Sequence, residues 1–221
     1  MLAAAMPART ALVIMARYPE VGAVKTRLGR QIGAARACAL YRAFVCDLHA
    51  RFAGRRRPLI WAFLPADRDF AAVVGAGARC LPQQGRDLGE RMLRCFRDLH
   101  GAGFERVLMI GADVPHVRDA WLDEAEAQLE DADLVLGPSA DGGYYLIAMR
   151  QPHDVFTGVE MSTPHVLADT CRRADTAGLR VHLLPPSFDV DDVDDLRRLQ
   201  MLLRQEGYDR LLPSTSALLN E

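Results

Sequence analysis

Short apolar runs alternate along the chain with longer stretches whose apolar residues recur at three- and four-residue spacing. Residues 11–16 (ALVIMA), 58–64, 107–110 (VLMI) and 133–137 (DLVLG) show little polar alternation. That pattern predicts strands covered on both faces, as in a parallel sheet under helices. Shorter extended pieces are expected at 79–81 and 180–184, and a strand at 144–149 follows the turn signal Asp141-Gly142-Gly143. Between the runs, Ala37, Leu40, Tyr41, Phe44, Val45 and Leu48 mark a helix within 32–52. Further helices are expected near 67–74, from Leu88 to Leu99, over 116–130, from about Pro164 to Ala174, and after Asp192. Strand and helix alternate from end to end, which predicts one α/β domain with a mostly parallel sheet. The domain is placed at 10–205, with 1–9 and 206–221 as terminal extensions; the segment after Gln205 reads as a fraying surface tail.

The totals change this picture little. A chain of 221 residues, half of them hydrophobic, can bury one full core. A net charge of −2 supplies no general attraction for nucleic acid. No apolar run approaches the ~20 residues of a membrane span, and the opening MLAAAMPAR is too short and too weakly apolar for a secretory signal. The five cysteines are scattered, without zinc spacing, and read as small core residues of a cytoplasmic protein. There is no P-loop, no G-x-G-x-x-G after the first strand and no G-x-S-x-G elbow.

The unusual residues fall in the loops. Gly111 ends the apolar run 107–110, and Asp113 is the first charge after it. A carboxylate there sits at the C-terminal edge of a central strand, where open α/β sheets bind ligands; capping the next helix is the other role open to it. The loop 17–29 carries Arg17, Lys25 and Arg27, and an extended backbone points the last two to one side, as a grip for phosphate or as a solvated basic loop. The segment 83–92 (QQGRDLGERM) reads as a capped helix start, with Asp87 as N-cap and Glu90 completing a capping box. Its unpaired amides, with Gln83, Gln84 and Arg91, can also face a base or phosphate. Gly142 and Gly143 suit a hairpin turn or a close backbone approach to ligand. Ser162 or Thr163 is expected to cap a helix whose first position is Pro164. In SFDVDDVDDL, Asp192 fits an N-cap, while Asp189 and Asp191 alternate in an extended piece and repel unless a cation lies between them.

Six segments in order, PEVGAVKTRLG, QQGRDLGERM, MIGADVP, LGPSADGGYYLIAM, VEMSTPHVL and FDVDDVDDLRRL, resemble the bacterial DUF2064 family from about residue 12 to 199. That family is grouped with GT-A-fold transferases of the nucleotide-diphospho-sugar transferase superfamily. It is a cousin of 2-phospholactate and molybdopterin guanylyltransferases. The resemblance implies a GT-A, Rossmann-like three-layer sandwich. It implies Asp113 as a metal-binding aspartate, with Asp191 and nearby Asp189 completing a site for Mg²⁺ or Mn²⁺. It assigns Lys25 and Arg27 to the phosphates, and Asp141, Gly142 and Gly143 to the acceptor side. Two positions depart from the pattern: Ala112 replaces a usual Ser or Thr, and Met161 a frequent Trp before Ser-Thr.

The expectation is a metal-dependent transferase working on a nucleotide or nucleotide-sugar donor and a small acceptor. Asp113, Lys25 and Asp141 are the catalytic candidates; Arg17, Lys25, Arg27, Gln84 and Gly89 are expected on the nucleotide; Asp141, Gly142, Gly143, Ser162 and Thr163 on the acceptor. Glycosyl transfer is the leading expectation and nucleotidyl transfer with pyrophosphate release the alternative. A nucleotide-binding regulator without catalysis is the rival of another class. No nucleic-acid partner is expected, and homodimerisation is left open.

Overall fold

The computed structural model describes residues 10–205, 208 and 210–220. The strands are β1 (Thr10–Arg17), β2 (Leu59–Leu64), β3 (Arg79–Pro82), β4 (Arg106–Gly111), β5 (Leu134–Pro138), β6 (Tyr144–Met149) and β7 (Val181–Leu183). They form one sheet in the order β3-β2-β1-β4-β6-β5-β7, parallel except for β6, which runs against β4 and β5. The chain leaves β1 outward to β2 and β3, then returns to pair β4 with β1. The strand order therefore reverses between β1 and β4, and the crevice at their C-terminal ends is the switch point where open α/β sheets take ligands.

Alternate strand residues feed two cores. Leu12, Ile14, Ala16, Trp61, Leu108 and Ile110 face one side, under α1 (Thr26–Ile32), α2 (Ala34–Phe52), α5 (Asp119–Gln128) and α7 (Val193–Leu203). Ala11, Val13, Ile60, Ala62, Val107 and Met109 face the other, where α4 (Leu88–Gly101) brings Met92, Phe96 and Leu99 and α6 (Val166–Thr176) brings Ala174. The period-two split explains why the strands read as unbroken apolar runs: both faces are covered. A short helix, α3 (Ala71–Val74), lies between β2 and β3.

Three expectations are corrected here. The loop 17–29 is not extended throughout; α1 begins at Thr26, with Lys25 as its N-cap in a left-handed conformation, φ 48°. The helix after Ser162-Thr163-Pro164 starts two residues beyond Pro164, at Val166, with His165 as N-cap. The segment after Gln205 is no fraying tail among its described residues: α8 (Pro213–Leu219) packs on α2, and Leu212 and Thr215 are fully buried. The Asp47 carboxylate on α2 accepts from the amides of Ser214 and Thr215 and from the Thr215 hydroxyl. A cap borrowed from another helix leaves no local sequence pattern, which is why periodicity misses it. The first nine residues lie outside those described.

Candidate active site

Four loops meet at the C-terminal ends of β1 and β4. Lys25 comes from the loop after β1, Asp113 from the turn after β4, Asp141 from the β5–β6 hairpin, and Asp189 and Asp191 from the segment between β7 and α7. Asp113 does not cap the following helix; α5 begins after Arg118, which makes no side-chain cap. The carboxylate is free for other work. Lys25 Nζ lies 2.5 Å from Asp113 Oδ1 and 3.0 Å from Asp191 Oδ1, and Arg27 pairs with the second oxygen of Asp191. Lys25 and Arg27 thus share a side, as expected, but through the first turn of α1 rather than an extended strand.

The Lys25 side chain is only 3% exposed, whereas that of Asp113 is 44% exposed. Burial works against the ammonium, but the carboxylates of Asp113 and Asp191 outweigh it and hold the Lys25 pKa above its ordinary value. Backbone bonds fix the geometry. The Val190 amide donates to the Asp113 carbonyl, the Asp191 amide to the Asp195 carboxylate, and the Val193 amide to Gln31 Oε1 on α1. Asp192 caps α7, as the sequence predicts, and Asp195 completes a reciprocal capping box that the sequence reading did not foresee. Tyr41, buried under Asp113, accepts from the Arg17 amide; burial and the Asp113 charge push its phenol pKa up.

Asp189 turns the other way. Its Oδ2 accepts from Ser139 Oγ at 2.5 Å, and its pKa is pushed up to about 6 by burial and by the charges of Asp113, Asp141 and Asp191. It lines a cavity of about 210 Å³ that also holds Asp141, Gly143, Ser162 and Thr163. The expected acceptor residues are therefore brought together. Gly142 makes this possible: its φ is +89°, and a Cβ there would run into the Pro164 carbonyl. The Leu167 amide donates to the Gly142 carbonyl, locking hairpin against helix. Asp141 Oδ1 accepts from the Gly143 amide at 3.0 Å, the Asx turn that Asp-Gly-Gly favours.

Other candidates are placed differently. Gln83 turns into the sheet and donates to the carbonyls of Ala16 and Ala62, so it is a structural clasp. Arg91 reaches back to the carbonyls of Gly85 and Arg86 and holds that loop. Gly89 is buried, and a Cβ there would crowd Met161 and Phe156, so it serves close packing at the start of α4. Asp87 caps α4 as expected, but Glu90 reaches the Arg86 amide rather than closing a box on Asp87. Gln84 and Arg17 are exposed near the crevice. Sequence reasoning missed the cavity floor of Met15, Met92, Met109 and Met161. Met15 and Met109 stand near the ends of β1 and β4, a signal visible only once those strands are paired.

Among the described residues, no three carboxylate, imidazole or thiol groups are gathered to hold a metal by themselves. Lys25 and Arg27 already neutralise Asp113 and Asp191. Four carboxylates nonetheless share the crevice with two cations, and hard oxygen donors suit Mg²⁺, which takes one or two carboxylates and completes its shell with phosphate and water. The residues fit such an ion in the company of substrate phosphates. No helix among the described residues is long and apolar enough to cross a membrane.

Comparison with known proteins agrees with this fold. The structure is similar to that of a Desulfovibrio desulfuricans G20 protein provisionally described as a nucleotide-diphospho-sugar transferase: 35% identity, TM-score 0.87, 96% of this chain and 97% of that one. It shares its fold, at 13% identity and TM-score 0.57 over 90% of this chain and 100% of the other, with a 4-diphosphocytidyl-2C-methyl-D-erythritol synthase. The phosphoenolpyruvate guanylyltransferase of Chloroflexus aggregans (strain MD-66 / DSM 9485) is 30% identical over 146 residues, which are 63% of this chain and 69% of that protein. The model of the family described as "Uncharacterized protein conserved in bacteria (DUF2064)" matches residues 48–163, and the chain belongs to that family.

Proposed function

We propose that the protein is a nucleotidyltransferase that joins a nucleoside monophosphate to a small acceptor and releases pyrophosphate. The observation that carries the reading is Lys25, buried between Asp113 and Asp191 at the reversal of strand order. A fixed ammonium at that crevice, with Arg27 beside it, is preorganised for the charge that grows on a departing phosphate. When the triphosphate arrives, its oxygens compete with the carboxylates for Lys25. Asp113 and Asp191 would then hold a Mg²⁺ ion, which would supply charge neutralisation on the phosphates. An acceptor oxygen attacks the α-phosphorus, the bond from that phosphorus to the α–β bridging oxygen breaks, and pyrophosphate carries away the electron pair. Where the acceptor is a hydroxyl, its proton passes to Asp141, whose second oxygen has no protein donor among the described residues. The guanylyltransferase name of the Chloroflexus relative supports this bond as the one broken.

Glycosyl transfer is the second reading, favoured by the description of the Desulfovibrio protein. It has no counterpart to the guanylyltransferase name of the 30% identical Chloroflexus relative, which points to the α–β bond instead. Product analysis decides between them. Each nucleoside triphosphate, GTP first, and a panel of nucleotide sugars are incubated with mixed small alcohols, amines and phosphates. Pyrophosphate formed from a triphosphate is the expected result; a nucleoside diphosphate formed from a nucleotide sugar overturns it.

A further inference from the structure

The cavity beside the Lys25 crevice differs from that crevice in composition. Met15, Met92, Met109 and Met161 line it among other apolar side chains, and its only charged lining among the described residues is the carboxylates of Asp141 and Asp189, beside the hydroxyls of Tyr144, Ser162 and Thr163. No lysine, arginine or histidine lines it among the described residues. Lys25 and Arg27 are engaged on the far side of Val190, with Asp113 and Asp191. Thioether side chains are polarisable and adapt to irregular apolar shapes, so the floor suits an aliphatic or aromatic body. Ionised carboxylates accept hydrogen bonds and donate none. Ser139 already supplies Asp189 with one donor and the Gly143 amide supplies Asp141 with another, leaving oxygens that need a donor from a ligand.

We infer that this cavity takes a small neutral or cationic molecule with an apolar body and a hydroxyl or amino group at its polar end, and that it turns away acidic molecules. Its role as the acceptor pocket rests on the nucleotidyl-transfer reading; its charge preference does not. An acidic ligand would meet two carboxylates with no cation lining the cavity to offset them, and like charges brought together weaken binding. A ligand amine would instead stand between Asp141 and Asp189 and relieve their repulsion.

The test uses the full chain carrying ¹³C-labelled methionine methyl groups, so that binding is read at the cavity floor itself. Hexylamine, hexanol, hexanoate and phosphoenolpyruvate are titrated in turn without nucleotide. Hexylamine and hexanol should shift the methyls of Met15, Met92, Met109 and Met161 saturably, and both anions should bind at least about tenfold more weakly than hexylamine. In the double variant D141N/D189N the hexanoate and hexylamine affinities should converge. Hexanoate or phosphoenolpyruvate binding the unaltered chain as well as hexylamine overturns the inference, as do shifts confined to other methionines. The unaltered chain alone decides the order, so a misfolded variant does not blunt the test. A chain that keeps amine above carboxylate but binds no nucleoside triphosphate supports the pocket preference and overturns the transfer reading instead.

Discussion

The backbone amide of Val190 donates to the carbonyl oxygen of Asp113 at 3.0 Å. This single bond ties two acidic loops separated in the chain by α5, the β5–β6 hairpin, α6 and β7. Val190 itself is fully buried, and the two carboxylates that flank it take different partners. Asp191 goes to Lys25 and Arg27, and Asp189 to Ser139 and the methionine-floored cavity. One extended segment thereby serves both halves of the crevice.

Lys25 is the residue whose loss should cost most. Lys25→Met is expected to lower the rate of pyrophosphate release by about 10²–10³, the range seen when a preorganised donor to a developing anion is removed. It also leaves Asp113 and Asp191 facing each other without a cation, so the melting temperature should fall. Lys25→Arg should not restore activity, because a planar guanidinium does not replace a buried point charge. Initial rates and triphosphate titrations on both variants check this.

A chelator should abolish turnover, and Mg²⁺ should restore it. In Asp113→Asn the concentration of Mg²⁺ giving half-maximal rate should rise by about tenfold or more, since one charged ligand is replaced by a neutral one. Rates measured across a Mg²⁺ series supply the comparison; an unchanged series would remove Asp113 from the ion's ligands.

Gly142→Ala should destabilise the fold and loosen the cavity. The added Cβ meets the Pro164 carbonyl, at a φ that side chains rarely adopt. A cost of about 1–3 kcal/mol is expected, equivalent to roughly 2–12 °C in melting temperature for a domain of this size. Thermal melts give the first figure, and methionine methyl spectra show whether the cavity is disturbed.

His116 predicts the acid limb of stability. It is buried between Ser187, whose hydroxyl lies 3.1 Å from Nε2, and the Phe188 ring. Burial, with Arg198 and Arg51 nearby, lowers its pKa to about 3. The unfolded chain titrates near the ordinary value of about 6.5. Between those values the unfolded state binds a proton that the folded state refuses, so stability falls as pH drops through this window. The slope from this residue is at most about 1.4 kcal/mol per pH unit. Denaturant melts from pH 7 to 4 should show a shallower decline in His116→Gln than in the unaltered chain.

Asp47→Ala should undo the anchorage of α8. The carboxylate is fully buried and accepts three hydrogen bonds from the start of that helix. Bonds to a charged acceptor are worth about 1.5–3 kcal/mol each in favourable cases, and the loss should approach the upper end of a single one because their sum is not additive. Hydrogen exchange should show α8 opening first in this variant.

Much of this fold is legible in the sequence because both faces of the sheet are covered. Every strand from β1 to β7 then appears as an apolar run or a short extended piece, and the alternation with helices dictates a mostly parallel order. Asp113 is legible for the same reason: it is the first charge past a fully apolar run. What escaped depends on contacts between distant segments. Nothing local announces that Gln83 will satisfy the carbonyls of Ala16 and Ala62, that Asp47 will cap a helix near the far end of the chain, or that four methionines will share a floor. Lys25 illustrates the middle case. Its charge marked it, but its burial between two carboxylates followed only from the left-handed turn that opens α1.

The reversed strand β6 has a consequence for how such a molecule diversifies. Because it runs against β4 and β5, the hairpin that joins it to β5 opens on the same rim as the ends of β1 and β4. A change in that hairpin's length or composition would reshape one wall of the chamber while leaving the lysine and its paired acids untouched. Under the proposed reading, a chain with a different turn there would take a different partner molecule while keeping the buried ammonium and its two acids.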